Sequence, residues 1–282
     1  RELLEAERPE AVTVAVPTSL HQRVASDVME SRADVLVEKP IARWTSEVDP
    51  MIEARDRSGK VLMVGMNQRF TPVHQGLRKA IADGAFGKVY LCKTFWNRRR
   101  PGEGLWERGD WCLNKDQSGG GPLLDLGIHK LDLLLFLLGF PKVLSVDGIC
   151  FEGIGSERAK ERGKSYQVED MGMGVIRLEG HGAIHLEASY FHNQLREDIQ
   201  AFDIFGTQGT FSDGNAYRID KDDPEELAIE PDADAPTTCA EHFVRVIRGD
   251  EVLDSTAEQA LVGLKIIEAI YESSRTGQAV IF

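Results

Sequence analysis

A chain of 282 residues, 42% of them apolar, is long enough for one large domain or two ordinary ones. Its formal net charge of −13 argues against nucleic acid or an anionic membrane as the principal partner. The four cysteines, Cys92, Cys112, Cys150 and Cys239, form no close pair and have no histidine cluster beside them. That pattern excludes a zinc site and a dense disulfide framework and fits free thiols in a reducing cytoplasm. No apolar run reaches membrane-spanning length, and no secretory signal pattern opens the chain.

In chain order, residues 2–7 read as a helix and Ala11-Val-Thr-Val-Ala-Val16 as a buried parallel strand. Pro17-Thr-Ser-Leu-His21 ends that strand, with Thr18 or Ser19 as N-cap of a helix over 20–31. Val35–Val37 is the next strand, followed at once by Glu38-Lys39-Pro40. Thr45 or Ser46 is expected to cap a helix through Arg57 that turns Val48, Met51 and Ile52 inward and stops at Gly59. Val61–Val64 is a third strand, and strand–helix–strand–helix–strand is the doubly wound α/β signature. A helix over 72–83 and a β-rich run over Val89–Trp96 follow, then a polar loop from Asn97 to Gln117.

The stretch from Gly119-Gly-Gly-Pro122 to Gly139 predicts a helix, with proline in the first turn and glycine just past the end. It is apolar on nearly every face and so should be buried, yet it carries Asp125 and His129 four residues apart. Strands are expected over 143–151, 170–178, 182–192, 198–205, 209–213 and 216–220, with turns at Glu179–Gly182 and Gly206–Gly209 and a charged loop near Gly153–Lys164. A short helix over 238–248, a long one over 256–275 and a final strand at 279–282 complete the chain. The expected architecture is a doubly wound parallel sheet over residues 1–70 followed by an α+β domain over 71–282 with a large, mainly antiparallel open sheet. The terminal helix and strand are expected to pack back on the first domain.

Open α/β sheets bind ligands beyond the carboxyl ends of their strands. Three polar motifs fall there: Pro17-Thr18…His21, Glu38-Lys39-Pro40 and Asn67…Arg69. Lys39 is the sharpest candidate, because a desolvated lysine suits proton transfer or polarisation of a carbonyl; pairing with Glu38 at a solvated strand end is the plainer reading. A cis Lys39–Pro40 bond is expected in so tight a turn. His129, nearest neutrality, is the natural proton acceptor, and Asp125 would orient it or bind a hydroxyl, unless the two simply satisfy each other in the core. His21, Asn67 and Arg69 are candidate cofactor contacts that also fit ordinary turn residues. Trp106 and Trp111 could wall a pocket or serve packing, and Arg98–Arg100 could hold an acidic group or form a solvated charge run.

Taken in order and spacing, Glu38-Lys39-Pro40, Arg69-Phe70, Gly84-Ala-Phe-Gly87, Asp125-Leu-Gly-Ile-His129, Gly206-Thr-Gln-Gly209 and Ala269-Ile-Tyr-Glu-Ser273 carry a resemblance over essentially the whole chain. The sequence resembles the Gfo/Idh/MocA oxidoreductases, the glucose–fructose oxidoreductase and inositol dehydrogenase group. The resemblance implies a Rossmann domain for NAD or NADP and a second domain that holds a sugar or polyol substrate and mediates homo-oligomers, dimers or tetramers. Lys39, Asp125 and His129 match the family's catalytic positions, and with Trp111 are the expected substrate contacts. Pro17, Thr18, His21, Glu38 and Asn67 match positions that line the cofactor. The family's first strand and glycine-rich phosphate turn have no counterpart before Val12, so a truncated sequence is expected, a naturally short relative being the alternative. The implied activity is hydride transfer between nicotinamide and a secondary alcohol or ketone. NAD-assisted glycoside cleavage and a non-catalytic sugar-binding role are the other readings.

Overall fold

The structure, a computed structural model, describes residues 2–107, 110–180, 182–219, 223–230 and 234–282. The first part of the chain contains α1 (Glu2–Glu7), β1 (Ala11–Val14), α2 (His21–Glu30), β2 (Asp34–Glu38), α3 (Val48–Ser58) and β3 (Leu62–Gly65). The rest contains α4 (Pro72–Ala82), β4 (Val89–Arg98), α5 (Glu103–Glu107), α6 (Lys115–Ser118), α7 (Ile128–Leu137), β5 (Val143–Phe151), α8 (Ile154–Glu161), β6 (Met171–Leu178), β7 (Ala183–Ser189) and β8 (Asp198–Gly206). It ends with β9 (Gly209–Ser212), β10 (Asn215–Arg218), β11 (Glu225–Leu227), α9 (Cys239–Arg248), α10 (Ala257–Thr276) and β12 (Val280–Ile281).

Strands β1, β2 and β3 form a parallel sheet in that order, with Val14 beside Val37 and Val37 beside Val64. β2 and β3 are buried on both faces, which is why they read as unbroken apolar runs. Their side chains alternate between two cores. Val35, Val37, Leu62 and Val64 join the main core, whereas Leu36 and Met63 meet Phe70, Cys239 and Phe243 in a smaller one. One face of this sheet is therefore closed by α9, a helix that lies some 200 residues further along the chain.

The second sheet runs β11-β10-β9-β8-β4-β7-β6-β5-β12. Its neighbours pair antiparallel except β4 and β7, whose parallel register sets Asn97 beside Ser189. α10 ties the two sheets together. Near its start, the Val64 N–H donates to the Ser255 carbonyl at 3.0 Å and the Ser255 hydroxyl donates back to the Val64 carbonyl at 2.7 Å. Further on, Ile270 lies against Gly148 and Gly174, where an added Cβ would come within 2.8 and 2.6 Å of it. Of the two terminal elements, α10 reaches β3 and α3, whereas β12 pairs with β5 in the second sheet.

Other differences have local causes. Neither Thr18 nor Ser19 caps α2, and neither Thr45 nor Ser46 caps α3, because short 3-10 turns precede both helices. Thr45 instead gives its N–H and hydroxyl to Glu268 of α10, at 2.7 and 2.9 Å. The charged segment near Gly153–Lys164 is helical as α8, its first N–H groups at Ile154 and Gly155 donating to the Asp170 carboxylate. The Asn97–Gln117 stretch holds two short helices, and β11 is an added edge strand. Arg108 and Gly109 of that stretch, His181 of the expected Glu179–Gly182 turn and Asp220 of the expected 216–220 strand lie outside the described residues. Among those described, no helix is long and apolar enough to cross a membrane.

Arg69 requires the clearest correction. It is fully buried at 0% exposure and binds Asp132, 3% exposed, through Nε to Oδ2 at 2.8 Å and Nη2 to Oδ1 at 2.5 Å. Its Nη1 donates to the Asp254 carbonyl and to Gln259, and Phe136 and Phe140 lie 5.4 and 5.0 Å from the guanidinium carbon. With its donors committed to the protein, Arg69 joins the first sheet to α7 and α10 and does not face a cofactor. Arg69→Ala would leave Asp132 as a buried, unpaired charge and is expected to cost about 3–5 kcal/mol, read as a lower urea midpoint. An Arg69→Met/Asp132→Leu double variant should recover most of that loss; an equal loss in the double variant would refute the pairing account.

Candidate active site

The start of the site helix is wedged among three other parts of the fold. Gly119 has φ +86°, and a Cβ there would meet the Arg43 backbone at 2.8 Å. A Cβ at Gly120 would fall 2.2 Å from the Tyr271 hydroxyl, and one at Gly121 would fall 2.8 Å from the Glu169 carbonyl. Three glycines in a row are thus required by close approach. Leu123–Gly127 then forms a π turn leading into α7, with Asp125 inside it and His129 in the first α turn. π turns of this kind often re-aim side chains at functional sites.

That turn carries Asp125 to the carboxyl ends of β1 and β2. Lys39 Nζ donates to Asp125 Oδ1 and to the Asp125 carbonyl, both at 2.9 Å, and the Tyr190 hydroxyl donates to Oδ2 at 2.8 Å. The carboxylate is held on both oxygens. The Lys39–Pro40 bond is cis, as expected. Lys39 and Asp125 side chains are 16% and 27% exposed, and both line a cavity of about 230 Å³. Val16, Pro40 and Leu124 supply its apolar surface, and Thr18, Glu38 and Trp111 line it as well.

His21 also lines the cavity, but both ring nitrogens lie 2.9 Å from main-chain carbonyls of Pro40 and Val16. Burial pulls its pKa down and those two carbonyls oppose the shift. The ring therefore serves as a wall that fixes the Lys39–Pro40 turn. Pro17 forms the turn after β1 without lining the cavity, and Asn67 is exposed at the start of a 3-10 turn after β3.

His129 stands one turn further along the helix, with its ring 6.1 Å from that of Trp96. Its Nδ1 is buried and has no hydrogen-bond partner among the described residues. Burial pushes its pKa down to about 3, with Lys39 and Lys130 adding to the effect and Asp125 opposing it. Burial therefore keeps the imidazole neutral at neutral pH.

Tyr190 was not singled out by sequence. It sits just past β7, and only the parallel pairing of β4 and β7 marks that strand end as a place for site residues. Cys112 and Gly120 join the lining for the same reason of tertiary proximity. Trp106 packs against Tyr166 and Phe191, so it serves the core. Arg98, Arg99 and Arg100 are engaged by Asp198, Glu197 and Asn193, which fits the solvated charge run.

A lysine at a strand end of the parallel sheet thus binds a carboxylate from the part of the chain that carries the large open sheet. The chain belongs to the GFO/IDH/MocA oxidoreductases. Residues 1–66 match the oxidoreductase family's NAD-binding Rossmann fold and residues 74–212 the GFO/IDH/MocA C-terminal domain. The chain is 30% identical over 289 residues to a D-glucoside 3-dehydrogenase of Escherichia coli, covering 99% of this chain and 81% of that protein. It is 25% identical to a scyllo-inositol 2-dehydrogenase (NADP+) of Bacillus subtilis, covering 94% and 77%. The fold superposes with a TM-score of 0.82 on an aldose-aldose oxidoreductase from Caulobacter crescentus crystallised with glycerol, at 23% identity, covering 100% and 82%.

The state of His129 has a consequence for stability. Between about pH 3 and the ordinary value of 6.5, the unfolded chain binds a proton at this ring that the native chain does not. The stabilisation is complete above 6.5 and drains away as pH falls towards 3. His129→Gln should flatten this part of the acid limb, seen as a smaller drop in urea midpoint between neutral and mildly acidic buffer; an unchanged slope would contradict a neutral buried ring.

Proposed function

We propose that this enzyme transfers a hydride between a nicotinamide cofactor and a secondary alcohol or ketone of a sugar or related polyol. The observation that carries the reading is the Asp125 carboxylate held between Lys39 and Tyr190 at the carboxyl ends of a parallel sheet, with His129 a turn further on, its buried Nδ1 lacking a partner among the described residues. The sugar and inositol dehydrogenases among its relatives support the substrate class.

The residues present fit the nicotinamide end of NAD or NADP. Within the cavity Val16 and Pro40 offer apolar surface and Thr18 and Glu38 offer polar groups; His129, a turn further along the helix and outside that lining, keeps a buried Nδ1 without a partner among the described residues. When bound, the cofactor gives or takes the hydride. Lys39 would place its ammonium against the substrate oxygen and stabilise negative charge developing there. Asp125 and Tyr190 would fix that ammonium and bind a neighbouring hydroxyl. His129 would take the hydroxyl proton on a ring nitrogen. Trp111 would form a wall of the substrate site.

The test is oxidation of a panel of glucosides and inositols, followed as NAD(P)H formation. His129→Ala is expected to lower turnover by about 10²–10⁴-fold while NADH binding, titrated by fluorescence, is retained. Equal losses in both, or none, would defeat the role. Products formed without net redox change would point to NAD-assisted glycoside cleavage instead.

Residues 1–70 and 71–282 would act as the cofactor and substrate domains, with α10 bridging them. Free thiols and the acidic charge suit a cytoplasmic enzyme with no nucleic-acid partner. The open face of the second sheet would pair with a second copy. In register, Ile149 lies beside Met173 and Phe151 beside Met171, and Ile149 and Phe151 are 53% and 51% exposed. Such an apolar patch on an antiparallel sheet calls for a cover. Ile149→Asp should shift the molecular mass in sedimentation from an oligomer to a monomer; a wild-type monomer would remove the idea.

A further inference from the structure

Glu169 is a fully buried carboxylate outside the cavity. Its Oε2 accepts from the Gly121 N–H at 2.9 Å, and its Oε1 accepts from the Leu123 N–H at 3.1 Å and the Tyr271 hydroxyl at 2.8 Å. Three donors thus converge on one acidic group. Two of them are main-chain donors just before and at the start of the π turn that contains Asp125, and the third comes from α10, the helix that ties the sheets together. The Asp125 N–H in turn donates to the Gly121 carbonyl at 3.0 Å, so the peptide gripped by Glu169 is one step from the catalytic carboxylate. The next residue, Asp170, accepts the Tyr190 N–H on its carbonyl at 2.8 Å. Adjacent residues therefore hold both the turn that bears Asp125 and the tyrosine that binds it.

We propose that Glu169 and Tyr271 are positioning residues for the reaction. They fix the Gly121–Leu123 segment so that Asp125 stays between Lys39 and Tyr190. This rests on the reading of Lys39 and Asp125 as the catalytic centre. An amide at position 169 would keep one acceptor oxygen but present its N–H₂ to the Gly121 N–H, donor against donor. The turn must then shift, and a displacement of about 1 Å at a reacting group costs about 10²-fold in rate. Tyr271→Phe removes one donor and leaves the two main-chain bonds, so its effect should be in the same direction and smaller.

The experiment compares Glu169→Gln, Tyr271→Phe and a structural control, Ser273→Ala, which deletes a buried hydroxyl on the same helix bonded to the Gly148 N–H and Asp147. Two readouts are taken on each full-length chain. Steady-state kinetics should show kcat reduced by about 10–100-fold in Glu169→Gln with KM nearly unchanged, and a lesser fall in Tyr271→Phe. Acetylation of Lys39, followed by peptide mass spectrometry, should be faster than wild type in both, because Lys39 loses its fixed partner. Ser273→Ala should leave Lys39 labelling at the wild-type rate.

Lys39 labelling that matches wild type in both variants, or that rises equally in Ser273→Ala, overturns the proposal. Should Glu169→Gln not fold, Tyr271→Phe carries the same comparison. Absence of sugar or polyol turnover in the wild type would count against the proposed function, and the labelling comparison would still decide the positioning role.

Discussion

The contact on which the site depends is the ion pair between Lys39 and Asp125. It joins the carboxyl end of a strand in the parallel sheet to a π turn that belongs to the other half of the fold. Their meeting requires that the three-glycine wedge let the turn approach Arg43, Tyr271 and Glu169, and that α10 keep the two sheets in register. Because both side chains remain partly exposed in a cavity, the pair is not a sealed structural bridge. It is stable enough to orient an ammonium and open enough to be met by a ligand.

The fold also contains a contrasting pair. Arg69 and Asp132 are bidentate, desolvated and ringed by Phe136 and Phe140. Removing either member strands a charge, so the pair enforces one packing of α7 against the first sheet. Glu169 sits at the start of that helix, where burial raises its pKa and the bonds from the Gly121 and Leu123 N–H groups and the Tyr271 hydroxyl oppose the shift. The site helix is thus held at its start by Glu169 and in its body by Asp132.

How much of this was legible in the residues follows from the range of the interactions. The strands of the parallel sheet, the end of α7 at Gly139 and the long α10 follow from local period and, at Gly139, an end signal, whereas the π turn at Leu123–Gly127 with which the site helix opens has no such signal. Residue type and motif order pointed to Lys39, Asp125 and His129, and the fold sets Lys39 against Asp125 with His129 a turn further on. The same rule applied to the third strand end pointed to Arg69 as a ligand contact, and there it failed. Nothing local distinguishes a strand-end cation that faces a cavity from one that faces Asp132, which lies 63 residues away. Tyr190 escaped notice because its importance comes from a parallel pairing of β4 and β7 across a long insertion. Thr45 failed as a cap for a related reason: Glu268 offered it a tertiary acceptor.

By itself, the sequence determined the elements, the two-part architecture and the chemical types available at the strand ends, since these rest on periodicity, turn chemistry and glycine's freedom of approach. Only the tertiary structure decided which polar groups pair with each other and which are left facing the cavity. A charged side chain has the same local signature in either state. Its role depends on whether the surface that folds against it brings an opposite charge or an open space.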